Sequence, residues 1–325
     1  MSGVAESASG PGRDSVAGQG RDLATGDGRV AVTVVIAARN EAVEIAACIA
    51  SVEWAREVLV VENDSTDGTL ELAARAGADA FRHPFRSIGA QRNAAIARAT
   101  QSWVLVVDAD ERGTPALGEE VRAIVGGEGG VGEGGAVAYR APRRNFFMGG
   151  EIRHGGWERD RPVRLFRREL RYDERPVHEH VLTEGRAVGT LREPLLHTPY
   201  ATLDEYFEKL GRYSRWWARQ AHAAGRRASL GSLLLRPPAR LTSMLVLRGG
   251  WRDGGRGVVL ATLAAISVAA KYAQLWALGA TTSTELRSEK QPAEGVGDDQ
   301  RPASGVDSEG RPAPGGRGAP PERQS

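Results

Sequence analysis

Two aspartates, Asp108 and Asp110, directly follow the apolar run Trp103–Val107. In an extended chain, residues two apart point to the same side, so both carboxylates can bind one cation. Carboxylate oxygens suit Mg²⁺ or Mn²⁺, whose other positions are usually filled by water and substrate phosphates. The alternative is a solvated acidic turn, or the cap of a helix that begins near Thr114. Because the pair ends a buried strand, the sequence favours a divalent metal site and leaves open whether a histidine such as His197 completes it.

Polar side chains also follow the two earlier apolar runs of the chain. Together with the start of the next helices, they supply the candidate ligand contacts Ala37, Arg39, Glu41, Glu62, Asn63, Asp67 and Arg92. In parallel sheets, ligands bind beyond the carboxyl ends of the strands, so three such clusters predict one shared site. Asp67 has an alternative role in starting a helix, and Arg92 either reaches a phosphate or forms a surface ion pair.

Glu179 and Asp160 are the candidates for a general base. If residues 178–180 are extended, the two flanking histidines face away from Glu179. A carboxylate with an ordinary pKa of about 4.3 is ionised at neutral pH and can accept a proton. The histidines could instead suggest zinc, but a third and fourth ligand are not evident. The other alternative is an ion pair of Glu179 with Arg164, Arg167 or Arg175.

An excess of positive charge marks the middle of the chain. Residues 140–171 contain ten arginines and four acidic residues, which leaves room for a phosphorylated acceptor or an anionic membrane surface. Within this segment Trp157 is either a stacking platform for a sugar or a packing residue, and Arg164 is a candidate acceptor contact.

Short β-branched runs alternate with helical patterns as far as residue 107, which predicts an α/β fold with a mostly parallel sheet flanked by helices. Helices are expected over 41–52, 70–76 and 88–100, the second capped by Ser65 or Thr66. Strands over 136–140 and 163–167 predict an antiparallel extension of the sheet. A C-terminal helical extension follows over 201–282, with breaks at Pro237-Pro238 and 249–257.

The two ends of the chain differ from its middle. Residues 1–29 and 283–325 are rich in small, polar and charged residues, which predicts disordered tails. The first segment has no apolar core of a signal peptide, and the single cysteine, Cys48, fits a reducing compartment, so a cytoplasmic location is expected. The net charge of +2 indicates no particular partner, and we expect no nucleic acid.

Residues 258–270 carry no charge and are flanked by Arg252, Arg256 and Lys271. A membrane span needs roughly twenty apolar residues, so this run is either a buried helix or an interfacial one. The neighbouring sequence Met244-Leu245-Val246-Leu247 favours the interface, which predicts peripheral association with the inner face of the cell membrane.

Three strand-end motifs resemble those of the inverting family 2 glycosyltransferases: VTVVIAARNE, VVENDSTDGT and LVVDADER. Three later motifs, HGGW from His154, RLFR from Arg164 and VHE from Val177, resemble the branch that contains lipopolysaccharide inner-core glucosyltransferases. The resemblance covers about residues 31–278. It implies a GT-A-like fold, a domain over 30–200 with a nucleotide-sugar half at 30–125 and an acceptor half at 136–200, and a cytoplasmic enzyme of cell-envelope glycan synthesis.

The resemblance also implies residue roles. Glu62 would contact the uracil or ribose of a nucleoside diphosphate sugar, while Asp108 and Asp110 would bind ribose and the metal-bound diphosphate. The sequence Glu62-Asn63-Asp64 departs from the family's usual Asp-Ser-Gly or Asp-Asp-Gly, so the base is not fixed. The expected reaction is an inverting transfer to a saccharide or lipid-linked acceptor.

Two other functions fit parts of the sequence. A sugar-phosphate nucleotidyltransferase would also need a parallel sheet, carboxylates and a metal, but usually carries a glycine-rich basic loop after the first strand. A non-catalytic carbohydrate- or lipid-binding module would not need paired aspartates at a strand end.

Overall fold

The first strand buries both of its faces. In Val30–Ala38 the side chains of Val34 and Ile36 belong to one hydrophobic cluster, and Val35 belongs to the cluster on the opposite side. Alternate residues of a strand face opposite ways, so this β-branched run must lie between two layers. The predicted mostly parallel sheet with helices on both faces is confirmed.

A computed structural model describes residues 28–127, 135–175, 179–200 and 202–290, with side chains through residue 280. Most of both predicted tails, and His178, lie outside these ranges. All candidate site residues that are described belong to a unit that ends at Gly279. Of the unit that begins at Ala280, the described part is helical as far as Lys290, past the predicted end of the extension at 282.

The strands form two sheets. They are β1 (Val30–Ala38), β2 (Ala55–Glu62), β3 (Asp79–Arg82), β4 (Trp103–Val106), β5 (Glu111–Arg112), β6 (Ala138–Arg140), β7 (Arg143–Phe147), β8 (Gly150–Ile152), β9 (Val163–Arg167), β10 (Val188–Thr190) and β11 (Leu195–His197). The larger sheet has the order β10-β6-β9-β4-β1-β2-β3, in which β1, β2, β3 and β4 are parallel. Strand β9 runs antiparallel to β4 and β6, as predicted for the extension.

The smaller sheet has the order β5-β11-β7-β8 and was not predicted from the sequence. Its strand β11 pairs antiparallel with β5, which places His197 opposite Glu111. The amide of Thr198 also donates to the carbonyl of Asp110 at 3.0 Å. This sheet therefore brings His197 and Thr198 beside the acidic turn that follows β4.

The helices are α1 (Ile45–Ala50), α2 (Thr69–Arg75), α3 (Ile88–Arg98), α4 (Pro115–Val125), α5 (Leu203–Ala223), α6 (Leu230–Thr242) and α7 (Gly254–Lys290). Three details differ from the sequence predictions. Helix α1 is shorter than the predicted 41–52. Helix α2 begins after Gly68, whose φ of 82° suits glycine, and neither Ser65 nor Thr66 caps it. The Pro237-Pro238 pair lies inside α6 and does not interrupt it.

Helices α5, α6 and α7 form the extension, which packs on the smaller sheet. Phe147 and Ile152 from that sheet share a hydrophobic cluster with Tyr206 of α5 and Leu260 of α7. The Tyr206 hydroxyl donates to the carbonyl of Leu263 at 2.7 Å, which satisfies a buried polar group. Among the described residues, the stretch Gly250–Ala280 is long and apolar enough to cross a membrane, and 33% of its most apolar window is buried.

The loop that carries Trp157 is attached to this extension. Gly155 and Gly156 precede Trp157 with φ of 79° and 101°, a conformation that favours glycine. The Asp253 carboxylate accepts the backbone amide of His154 at 2.9 Å and contacts its ring Nδ1 at 2.8 Å. The glycines and the histidine of this motif are thus explained by how the loop turns and where it is held.

Candidate active site

Asp108 stands at the carboxyl end of β4 among three arginines from three different elements. Its carboxylate pairs with Arg92 of α3 at 2.6 Å, with Arg143 of β7 at 2.9 Å, and with Arg164 of β9. Burial alone would raise the pKa of Asp108, but the charges of Arg164, Arg92 and Arg143 hold it well below its usual range. The carboxylate is therefore ionised and fully committed to guanidinium groups.

Glu111 and Glu179 extend this charge network. Glu111, which is fully buried, accepts from Arg143 Nε at 2.6 Å and from the Asp108 amide at 2.8 Å. Glu179 pairs with the other end of Arg92 at 2.7 Å. An ion pair was the alternative for Glu179, although its partner is Arg92 and none of the arginines considered from the sequence.

The prediction that the two aspartates lie on one side of an extended chain is wrong. Residues 108–111 form a turn, closed by a hydrogen bond of 2.9 Å from the Glu111 amide to the Asp108 carbonyl. Asp108 faces the arginines, whereas Asp110 Oδ2 lies 3.7 Å from His197 Nε2. Asp108 therefore does not fit the predicted role of a metal ligand, because its oxygens already have cationic partners.

The predicted acceptor contact at Arg164 also needs correction. Its side chain is 3% exposed, and its guanidinium pairs with Asp108 and with Glu111 at 3.1 Å. An arginine so enclosed positions the carboxylates of the turn. We therefore expect no direct contact between Arg164 and a large acceptor.

A hydrogen bond to Asn145 orients the ring of His197. The Asn145 amide donates to the carbonyl of Trp157 at 2.9 Å, so its oxygen faces His197 Nδ1 at 2.7 Å and accepts a hydrogen bond from it. In the neutral ring this bond leaves the lone pair on Nε2, the atom that faces Asp110. One carboxylate and one imidazole, with room for water and phosphate oxygens, fit Mg²⁺ or Mn²⁺.

Glu41 and Lys209 are charged neighbours of this second aspartate. Burial raises the pKa of Glu41 to about 7; the charge of Lys209 opposes the rise, while Asp110 and Glu205 add to it. The Asp110 carboxylate thus contributes to this rise, although burial is its main cause. A divalent cation bound at Asp110 would reduce the repulsion between Asp110 and Glu41.

Most of the remaining residues predicted to bind the nucleotide sugar lie on the loops after β1 and β2, where several have structural roles. Glu62 is fully buried and accepts from the Ser65 amide and from Arg82 Nε at 3.3 Å. Asp67 accepts the Ala42 amide at 3.0 Å and the Thr69 amide at 3.1 Å, so the helix-start alternative describes it well. Partial burial acts to raise the pKa of Asp67, but the hydrogen bonds from Thr69 and Ala42 outweigh it, so this pKa is lowered.

Two predicted contacts on these loops, Arg39 and Asn63, differ in their exposure to solvent from Ala37 near the end of β1. Ala37 is half-buried, Asn63 is buried, and Arg39 is exposed beside them. The Glu62 side chain is fully buried, and its predicted contact with a nucleoside stays a prediction.

Two clefts meet at Asp160. The first has a volume of about 640 Å³ and is lined by Arg92, Asp108 and Glu179. The second, about 320 Å³, is lined by His197 and Trp157, and Asp160 lines both. The Asp160 carboxylate pairs with Arg143 at 2.5 Å while its side chain stays 49% exposed.

Zinc binding at residues 178–180 finds no support in the described part of the chain. No group of three or more histidine, cysteine, aspartate or glutamate side chains there is placed to hold a metal. His178 lies outside the described residues, and His180 lines the larger cleft.

Comparison with known proteins decides the family. The profile "Glycosyl transferase family 2" matches residues 33–176. The "Lipopolysaccharide core biosynthesis glycosyltransferase LpsC" of Rhizobium meliloti (strain 1021) is 30% identical over 257 residues, which cover 76% of this chain and 93% of that protein. The chain belongs to glycosyl transferase family 2. The family predicted from the strand-end motifs is therefore confirmed, and the protein is an enzyme that transfers a sugar.

Two further similarities are shorter. An uncharacterized glycosyltransferase of Mycobacterium tuberculosis is 40% identical over 80 residues, which cover 25% of this chain and 37% of that protein. The crystal structure of glucosyl-3-phosphoglycerate synthase from Mycobacterium tuberculosis with Mg²⁺ and uridine-diphosphate aligns with 26% identity and a TM-score of 0.30, covering 36% of this chain and 44% of that one.

In this transferase, the family profile ends before several residues of the site. Asp108, Asp110 and Asp160 lie within residues 33–176, whereas Glu179, His197 and the helical extension follow it. The relation to the Rhizobium transferase extends over most of that protein's length, so it includes part of this later region.

The ion-pair network predicts that neutralising Asp108 destabilises the transferase more than neutralising Asp110. Asp108→Asn removes the charge shared by three arginines whose side chains are 3% to 13% exposed, so it should lower the free energy of unfolding by about 3 kcal/mol. Asp110→Asn, at a side chain 26% exposed, should change it by less than about 1 kcal/mol. Urea denaturation of both variants tests this, and an Asp108→Asn protein as stable as the parent would contradict it.

Proposed function

We propose that this transferase moves a hexose from a nucleoside diphosphate sugar, UDP-hexose in the first instance, to a saccharide or lipid-linked acceptor of the cell envelope, with inversion. The observation that carries the proposal is the Asp110–His197 pair at the end of the parallel sheet. Its imidazole is oriented by Asn145, and it opens onto the cleft lined by Trp157. The relation to a lipopolysaccharide core transferase supports the acceptor class.

Asp110 and His197 would hold Mg²⁺ or Mn²⁺, which when bound neutralises charge on the departing diphosphate. The nucleoside would lie over the loops that follow β1 and β2, near Ala37, Arg39 and Asn63. Glu62 and Asp67 shape those loops through the hydrogen bonds described above, and Asp108 keeps Arg92 in place beside them.

In the chemical step, an acceptor hydroxyl forms a bond to the anomeric carbon while the bond from that carbon to the diphosphate oxygen breaks. The hydroxyl proton passes to a carboxylate. Asp160 is better placed for this than Glu179, because it lines both clefts and adjoins Trp157, whose ring offers an apolar face to a sugar. Glu179 lines only the larger cleft, and one of its oxygens accepts a hydrogen bond from Arg92.

Donor turnover tests the function directly. Purified protein incubated with UDP-glucose and MnCl₂, without acceptor, should slowly release UDP, since water replaces the acceptor hydroxyl. A chelator should stop this release reversibly, and Asp110→Asn or His197→Ala should reduce it by at least about a hundredfold with the fold intact. A screen of other nucleoside diphosphate sugars identifies the donor. Full turnover in excess chelator would remove the metal from the proposal.

The two candidate bases can be distinguished with amide variants, which remove the charge of each carboxylate and keep its size. Asp160→Asn should lower turnover by about 10²–10⁴-fold while donor affinity survives, because the carboxylate acts only in the chemical step. Glu179→Gln should have the smaller effect, since Glu179 mainly balances Arg92. Turnover and donor affinity are measured separately for both. Normal turnover in Asp160→Asn beside an inactive Glu179→Gln with intact donor binding would transfer the role to Glu179.

We further propose that the helical extension docks on the anionic inner face of the cell membrane. From Lys209 to Arg252 the sequence has ten lysines and arginines and no acidic residue. Leu234 and Leu235 on α6 are 68% and 70% exposed, and Leu247 is 78% exposed. The apolar run 258–270 is the weaker candidate, because Leu260, Ala261 and Leu263 are buried. An apolar ridge within a basic surface fits a phospholipid interface.

Vesicle sedimentation tests this docking. Binding to phosphatidylglycerol vesicles should exceed binding to phosphatidylcholine vesicles and should fall as salt rises, because a Debye length of about 8 Å at physiological salt screens the attraction. Leu234→Ser with Leu235→Ser should weaken binding at least tenfold with UDP release unchanged. Leu182→Ser, at a leucine 50% exposed outside the extension, is the matched control. Equal binding by all three proteins would exclude α6 as the docking surface.

A further inference from the structure

Two cations share a cleft that the chemistry above does not use. Arg240 of α6 and Lys271 of α7 line a cleft of about 290 Å³ together with Trp157, Tyr200 and Ser267. Both cations are half-buried. The floor of the cleft is apolar, formed in part by Leu260 and Ala264.

Neither cation has a carboxylate partner in the described part of the chain. The ion pairs found there include neither Arg240 nor Lys271. By contrast, Arg143, Arg144 and Arg164 each pair with a carboxylate. Burial lowers the pKa of Lys271, and the charge of Arg240 lowers it further. Burial likewise lowers the pKa of Arg240, with a contribution from Arg248. Two like charges held together without a counter-charge attract an anion.

This cleft adjoins the cleft that contains His197 of the Asp110–His197 pair. Trp157 and Tyr200 line both it and the cleft that contains His197. A groove of about 540 Å³ between α5 and α7 shares Tyr200, Tyr206 and Lys271 with this cleft. An acceptor that reaches Asp160 past Trp157 would therefore place its next groups beside Arg240 and Lys271.

We propose that Arg240 and Lys271 bind an anionic group, a phosphate or a carboxylate, carried by the acceptor beyond the sugar that lies on Trp157. This rests on the proposed function, because it assigns a substrate class to the same site. The donor diphosphate is not the occupant, since the proposed function assigns it to Asp110 and His197, and neither lines the cleft of Arg240 and Lys271. A lipid headgroup is less suited than an acceptor anion, because the two cations lie inside a cleft and the exposed leucines of α6 lie outside it.

Titration of the full chain with glucose 6-phosphate and with glucose, followed by calorimetry without donor, tests the anion site. Glucose 6-phosphate should bind at least tenfold more tightly than glucose. Arg240→Gln with Lys271→Gln should remove that preference. Arg219→Gln with Arg252→Gln, which removes the same charge from two exposed arginines, should keep it.

Two further measurements identify the source of the anion. Affinity for UDP-glucose with MnCl₂ should be the same in the parent and in the Arg240→Gln, Lys271→Gln protein; a parallel loss would assign the cations to the donor and overturn the proposal. Binding to phosphatidylglycerol vesicles should fall no further than in the Arg219→Gln, Arg252→Gln control, and a larger fall would assign them to lipid.

A preference for glucose 6-phosphate that survives in the cleft variant, or no preference in the parent, would also overturn the anion site. Failure of the parent to release UDP from any nucleotide sugar would instead contradict the proposed function. The titration measures binding at the anion site and needs no turnover, so the two failures are distinguishable.

Discussion

The ion pairs of Asp108 hold together parts of the chain that are far apart in sequence. One carboxylate connects the end of β4 to α3 through Arg92, to β7 through Arg143 and to β9 through Arg164. A buried ion pair contributes little net stability by itself, but the loss of one partner is costly because the other charges stay buried. Glu111 and Glu179 balance the same arginines, so the geometry of both clefts depends on this group of charges.

The sequence predicts the frame of this site better than its contacts. Runs such as Val30–Ala38 are apolar at successive positions, and only a strand between two layers buries both faces, so the parallel sheet follows directly. The clusters at the strand ends then follow from the rule that parallel strands present their carboxyl ends at one edge. The direction of each side chain is a different matter. A turn at 108–111 separates two aspartates that an extended chain would have aligned.

The partners of these aspartates could not be read from spacing. His197 lies close to Asp110 only because β11 pairs with β5 in a second sheet whose strands are too short to give a periodic signal. Asn145, which orients His197, follows the same topology, since β7 is the other neighbour of β11. The burial of Asn145, which indicates a side chain with satisfied hydrogen bonds, is visible only in the structure. The same sheet supports the extension, whose Asp253 holds the loop before Trp157.

The two aspartates of one short motif thus have different surroundings, and this limits what each can do. Asp108 lies among guanidinium groups that keep it ionised and occupied, so it organises the site and has no free oxygen for a cation. Asp110 Oδ2 instead lies 3.7 Å from His197 Nε2, with Glu41 and Lys209 as charged neighbours, so the proposed cation is assigned to this carboxylate. Since like charges repel strongly in a partly buried site, a second carboxylate ligand beside Asp110 would add to the cost of the metal-free state. In the proposed metal site, the imidazole of His197 would supply a ligand without a further negative charge, which is consistent with a pair of one aspartate and one histidine.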